Sequence, residues 1–146
     1  QNHEDLRRAR SAANSIIPTT TGAAKAVTKV IPELAGRIDG MAYRVPVITG
    51  SVTDLTVKLS KNVSSDDIND AYIESAQKKL KGILDFSNDP LVSSDYIGSE
   101  YSCTIDGLST TDLGDGFIKV VGWYDNEWAY AKRIVDLAEY ISNRGL

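Results

Sequence analysis

The apolar residues of this chain repeatedly change period, and that change limits the possible folds more than any single motif does. Ala23, Ala24, Val27, Val30, Ile31 and Leu34 recur at spacings that place them on one helical face, and Gly36 follows as a stop. The pattern then turns strand-like over 41–47 and 52–59. In the second run Leu55, Val57 and Leu59 alternate with Thr56 and Lys58, as expected of a half-buried antiparallel strand, and Gly50 lies in the turn between the runs. Ser64 and Ser65 offer a helix cap with Asp66 and Asp67 in the first turn. Ile68, Ala71, Tyr72, Ala76 and Leu80 then form an apolar stripe that ends before Gly82. Strand-like runs near 91–97, 100–106 and 117–124 are separated by Gly98, Gly107, Gly114, Asp115 and Gly116. A last helix, about 127–143, is expected to carry Trp128, Ala131, Ile134, Val135, Ala138 and Ile141 inward. Strand runs broken by single helices, without regular alternation, predict an α+β fold: a mixed, largely antiparallel sheet covered by helices, in one domain over 1–146.

Composition removes several functional classes. With 16 basic and 20 acidic side chains the net charge is -4, which repels nucleic-acid backbones and anionic lipid surfaces, so neither is an expected partner. No apolar run approaches the roughly 18 residues of a membrane span. Cys103 is the only cysteine, so no internal disulfide can form and a cytoplasmic location is the default expectation. Cys103 has no histidine or helix start beside it, and His3, the sole histidine, sits in a polar terminal stretch. Cysteine–histidine catalysis, serine hydrolysis and a thiolate or imidazole metal site all lack their partners. The turn at Gly114-Asp115-Gly116 precedes a strand rather than a helix, so it is neither a P-loop nor a dinucleotide fingerprint.

One segment carries chemistry on local grounds. Thr19, Thr20, Thr21 and Gly22 place hydroxyls beside free N–H groups and the positive end of a helix, a setting that attracts anions. Arg44, on the following strand, can grip phosphate oxygens through two parallel hydrogen bonds. The spacing by itself favours a threonine that caps the helix and an arginine paired to a carboxylate. Arg7, Arg8 and Arg10 either extend the anion site or form surface or interface ion pairs.

Taken together, several runs resemble phosphorylating glyceraldehyde-3-phosphate dehydrogenase across essentially the whole chain. They are Asp5-Leu-Arg-Arg-Ala-Arg10, Ile16-Ile-Pro-Thr-Thr-Thr-Gly-Ala-Ala-Lys-Ala-Val27, Arg44-Val-Pro46, Leu80-Lys-Gly-Ile-Leu84 and Trp123-Tyr-Asp-Asn-Glu-Trp128. The resemblance implies that Thr21, Gly22 and Arg44 contact the phosphates of glyceraldehyde 3-phosphate and of attacking inorganic phosphate, with Arg8 as a further contact. It implies that Asn126 holds the nicotinamide carboxamide of NAD or NADP, with Tyr130 nearby. Residues 1–15 match the end of the family's S-shaped loop, which joins subunits of a homotetramer, and the last helix matches one that packs on a dinucleotide-binding domain. Val47-Ile-Thr-Gly50 departs from the family pattern, where another threonine and proline are common.

The same resemblance places the nucleophilic cysteine, its histidine and the cofactor domain before the segment that matches Gln1, so this chain contributes no catalytic residue and is expected neither to turn over substrate nor to hold cofactor tightly alone. In the family the cysteine thiolate attacks the aldehyde, hydride passes to NAD, and phosphate cleaves the thioester to 1,3-bisphosphoglycerate. A polar opening stretch, with Met41 as the only methionine, gives the expectation of a fragment. Erythrose-4-phosphate dehydrogenase is an alternative parent. A stand-alone phosphate-binding or oligomerisation module is an alternative class.

Overall fold

A computed structural model describes residues 2–145; the expected ends of the loop at Gln1 and of the domain at Leu146 lie outside the described residues. The chain gathers into two compact units, residues 1–48 and 49–146, where the sequence reads as a single domain.

In the first unit a 3-10 turn at Ala12–Asn14 leads into strand β1, Ile17–Thr20, and helix α1 follows at Ala23–Val30. Strand β2, Met41–Arg44, returns antiparallel to β1, pairing Ile17 with Arg44 and Thr20 with Met41. Ile17 is the buried anchor of this unit. Sequence periodicity carries the helix on to Leu34, but α1 stops at Val30 and Pro32–Leu34 form a separate 3-10 turn. Pro32 accounts for this, since the residue before a proline is driven out of helical geometry, and Ile31 sits at φ -130, ψ 79. The strand expected over 41–47 ends at Arg44, two residues before Pro46, which has no N–H to continue a ladder.

The second unit holds a five-stranded mixed sheet. Its strands are β3 (Ser51–Lys58), β4 (Leu84–Ser87), β5 (Cys103–Asp106), β6 (Thr111–Gly114) and β7 (Phe117–Tyr124). β7 pairs along its whole length with β3, from Ser51 opposite Tyr124 to Lys58 opposite Phe117. Its other edge is shared, with Gly122 and Trp123 facing β5 and Phe117 to Lys119 facing β6. β4 lies parallel to β5; every other pairing is antiparallel. The β6–β7 hairpin closes through Asp115 and Gly116, at φ 52 and 77, the left-handed pair that matches the twist of the flanking strands.

Helix α2, Ser65–Gln77, starts as the sequence predicts. Ser64 accepts from the Asp67 N–H while the Asp67 carboxylate accepts from the Ser64 N–H, a reciprocal capping box. Those bonds to Ser64 hold the Asp67 carboxyl below the ordinary carboxylate range. Ile68, Tyr72, Ala76 and Leu80 pack on a core of Leu84, Ile105, Ile118 and Val120, in which Ile118 is fully buried. Ala71, read as part of that stripe, is exposed. Cys103 borders the core, and burial pushes its thiol pKa up, consistent with a structural residue. A Cβ on Gly122 would stand 2.5 Å from Cys103 Sγ, so the β5–β7 contact depends on that glycine.

Two expectations fail here. The run 91–97 is a 3-10 turn at Ser93–Tyr96 rather than a strand, because the Asp95 carboxylate takes the Val92 N–H at 2.8 Å and so diverts the backbone from a ladder. The strand lies earlier, at Leu84–Ser87. Helix α3, Trp128–Asn143, exists as expected, but its apolar face does not point inward. Trp128, Ile134, Val135 and Ile141 are exposed, whereas Ala129, Lys132, Arg133 and Asp136 form its less exposed stripe. Asp136 pairs with Lys132 and Arg133 within the helix, while Arg133 donates to the carbonyls of Gly82 and Glu100, so hydrogen bonds from Arg133, more than burial of large apolar side chains, tie this helix to its unit.

Candidate functional site

In the first unit the candidate anion groups lie on the β1–β2 hairpin and the start of α1. Gly22 is the helix N-cap and has no side chain to offer, while Thr21 Oγ1 accepts from the Ala23 N–H at 3.1 Å. Among the described residues the N–H groups of Ala24 and Lys25 have no partner, so the first turn presents unpaired donors at the positive end of the helix dipole. Arg44 is exposed and joins no ion pair among the described residues.

Arg44 pairs with Ile17 on the ladder, and Thr21 follows the end of β1 at Thr20, one residue before the helix N-cap. Arg8 is exposed in a turn organised by Asp5, whose carbonyl accepts from Arg8 and Ala9 and whose carboxylate accepts from the Arg7 N–H. His3 Nδ1 accepts from the Asp5 N–H at 2.9 Å, a structural use of the only imidazole.

In the second unit the site forms where β7 gives way to α3. Asp125 is 3% exposed and accepts from the N–H groups of Gly98, Glu127 and Trp128 at 2.9 to 3.0 Å, and from Thr49 Oγ1 at 3.4 Å. The Gly98 and Trp128 bonds, with smaller help from Glu127 and Thr49, outweigh burial and hold its carboxyl below the ordinary carboxylate range. This carboxylate caps α3 and fixes the start of the next residue, Asn126. Beside it the Trp123 ring stacks on Tyr96 with centroids 5.8 Å apart, and its indole N–H donates to Asp106 at 3.2 Å.

Asn126 is exposed, and its Oδ1 accepts from the Gly50 N–H at 3.2 Å and from Ser51 Oγ at 3.1 Å. A backbone N–H can only donate, so the atom facing Gly50 is the amide oxygen and the –NH₂ is turned away. Among the described residues that –NH₂ has no partner. The arrangement offers a fixed donor to an external acceptor, which fits a carboxamide carbonyl such as that of nicotinamide. Tyr130 is 69% exposed on the first turn of α3.

Sequence reasoning pointed to Asn126 but missed Gly50, Ser51 and Asp125. Asp125 had a legible signal, an acidic residue just before a helical apolar run. Ser51 had none, because its partner lies 75 residues away. Among the described residues no group of three metal-ligating side chains comes together, and no helix is long and apolar enough to cross a membrane.

A mixed sheet backed by one capped helix defines an α+β domain and not a dinucleotide fold. The pattern of the glyceraldehyde 3-phosphate dehydrogenase C-terminal domain matches residues 1–126, and the chain belongs to that family. It is similar to glyceraldehyde-3-phosphate dehydrogenase of Geobacillus stearothermophilus, at 57% identity over 99% of this chain and 43% of the relative. It is also similar to glyceraldehyde-3-phosphate dehydrogenase 2 of Streptomyces avermitilis, at 51% over 97% of this chain and 42% of the relative. A chloroplastic glyceraldehyde-3-phosphate dehydrogenase of Arabidopsis thaliana is 52% identical over 97% of this chain and 36% of its own length. The chain thus spans about two fifths of the length of these relatives.

Proposed function

We propose that this chain is the carboxy-terminal segment of an NAD- or NADP-dependent phosphorylating glyceraldehyde-3-phosphate dehydrogenase that works as a cytoplasmic homotetramer in glycolysis or gluconeogenesis. The observation that carries the reading is identity of 51 to 57% over nearly the whole chain to relatives that bear that name. In this reading residues 1–146 are one functional domain. Thr21, Gly22 and Arg44 bind the phosphates of the substrate and of attacking inorganic phosphate, and Arg8 adds charge from the loop. Asn126 meets the nicotinamide carboxamide with its amide –NH₂, which is consistent with an Oδ1 already engaged, and Tyr130 stands on the helix that follows. The cofactor, when bound, supplies the hydride acceptor; this chain supplies orientation and charge. The exposed arc of α3 packs on the dinucleotide-binding domain of the same enzyme.

The chain alone is inactive in this reading, since its one cysteine, Cys103, borders the core with its thiol pKa raised by burial and has no base beside it to make it a nucleophile. The test compares the purified 146-residue chain with the full-length enzyme, both given glyceraldehyde 3-phosphate, phosphate and, in separate runs, NAD or NADP. Phosphate-dependent reduction of at least one of the two cofactors, only by the full-length enzyme, is expected. Turnover by the isolated chain, or its absence from the full-length enzyme, would refute the assignment.

A further inference from the structure

The amide of Asn126 works only if it is held, and what holds it is not on its own loop. Ser51 is the first residue of β3 and is paired with Tyr124, the last of β7, so its Cα belongs to the longest ladder of the sheet. Asn126 lies two residues beyond that rung, exposed, in the short connection to α3. Gly50 completes the clamp. At φ 97 it adopts a backbone conformation that side-chain-bearing residues avoid, and an added Cβ would stand 3.3 Å from the Ser93 carbonyl oxygen. Its N–H fixes which end of the amide faces the strand, and the Ser51 hydroxyl, meeting an oxygen, must then donate.

We propose that Ser51 is a positioning residue for the nicotinamide end of the cofactor, acting through Asn126. The proposal rests on the reading of Asn126 given above. With Gly50 alone the amide keeps one bond and can swing about it; with Ser51 it has two converging donors, and its –NH₂ points in one direction. A strand-borne hydroxyl thereby gives a loop residue the precision of the sheet. The benefit appears as tighter binding of the nicotinamide half of the cofactor and of nothing else.

The experiment uses the full-length enzyme and measures dissociation constants by calorimetry for NAD and for ADP-ribose, which lacks the nicotinamide. Asn126→Ala tests the underlying reading and is expected to weaken NAD and spare ADP-ribose. Ser51→Ala is expected to weaken NAD by about three- to tenfold, the range of one neutral hydrogen bond, and to leave ADP-ribose unchanged. Ser51→Thr, which keeps the hydroxyl and suits a strand, is expected to bind NAD like the unmodified enzyme. In the Asn126→Ala background Ser51→Ala is expected to have no further effect. Equal weakening of both ligands by Ser51→Ala, unchanged NAD binding, failure of Ser51→Thr to restore it, or an undiminished effect without Asn126 would each overturn the role of Ser51. If Asn126→Ala leaves NAD binding unchanged, the reading of Asn126 falls and the proposal falls with it.

Discussion

Replacing Asp125 with alanine removes a buried carboxylate that serves four donors at once. Loss of the cap on the Glu127 and Trp128 N–H groups costs about 1 kcal/mol. Loss of a charged acceptor for the Gly98 N–H adds about 1.5 to 3 kcal/mol, while the Thr49 contact at 3.4 Å is long enough to add little. The expected destabilisation is therefore about 3 kcal/mol. Urea unfolding at sub-micromolar concentration measures it, and the reporters are well placed, because Trp123 and Trp128, the only tryptophans, flank the cap. The pH dependence gives a sharper test through Asp125→Asn, which keeps the shape and loses the charge. Because the native pKa is depressed, chiefly by the Gly98 and Trp128 bonds, the charged contribution is complete above the unfolded value, about 4. It fades as pH falls through the lower native value, so the gap between the parent chain and Asp125→Asn should close in acid. A gap below about 1 kcal/mol for the alanine variant, or an asparagine gap that persists unchanged in acid, would refute the account of Asp125 as a charged cap.

Two further outcomes follow from the same geometry. Arg44→Ala in the full-length enzyme should weaken the use of substrate and phosphate together by more than tenfold, since a charge-assisted contact is worth about 1.5 to 3 kcal/mol and about 1.4 kcal/mol is a factor of ten; unchanged dependence on both ligands in steady-state kinetics would make Arg44 structural. The isolated chain should self-associate at micromolar concentration, because Trp128, Ile134, Val135, Leu137 and Tyr140 leave α3 apolar and at least half exposed at those positions; a single 15.9 kDa species in sedimentation, with no binding of a hydrophobic dye, would show otherwise.

The sequence by itself determined whatever depends on neighbours within a turn or two. Ser64 and Asp67 announced the start of α2 because a capping box is made within one helical turn, and alternation over 55–58 announced β3 because it is a property of the strand alone, although Leu55 is exposed and Leu59 lies past the strand's end. The threonine-glycine turn before α1 was legible for the same reason. Tertiary structure decided what depends on a distant partner. Leu84–Ser87 became a strand through its parallel pairing with Cys103–Asp106, a pairing that four residues cannot advertise. Pairing with β1 placed Arg44 opposite Ile17, and Ser51 together with Gly50 turned the Asn126 –NH₂ away from the strand. On α3 the period was right and the direction was not. An apolar stripe fixes which residues share a face, but only the arrangement around the helix decides whether that face or the opposite one is turned inward, and here Arg133 finds carbonyl acceptors at Gly82 and Glu100 that no local pattern records.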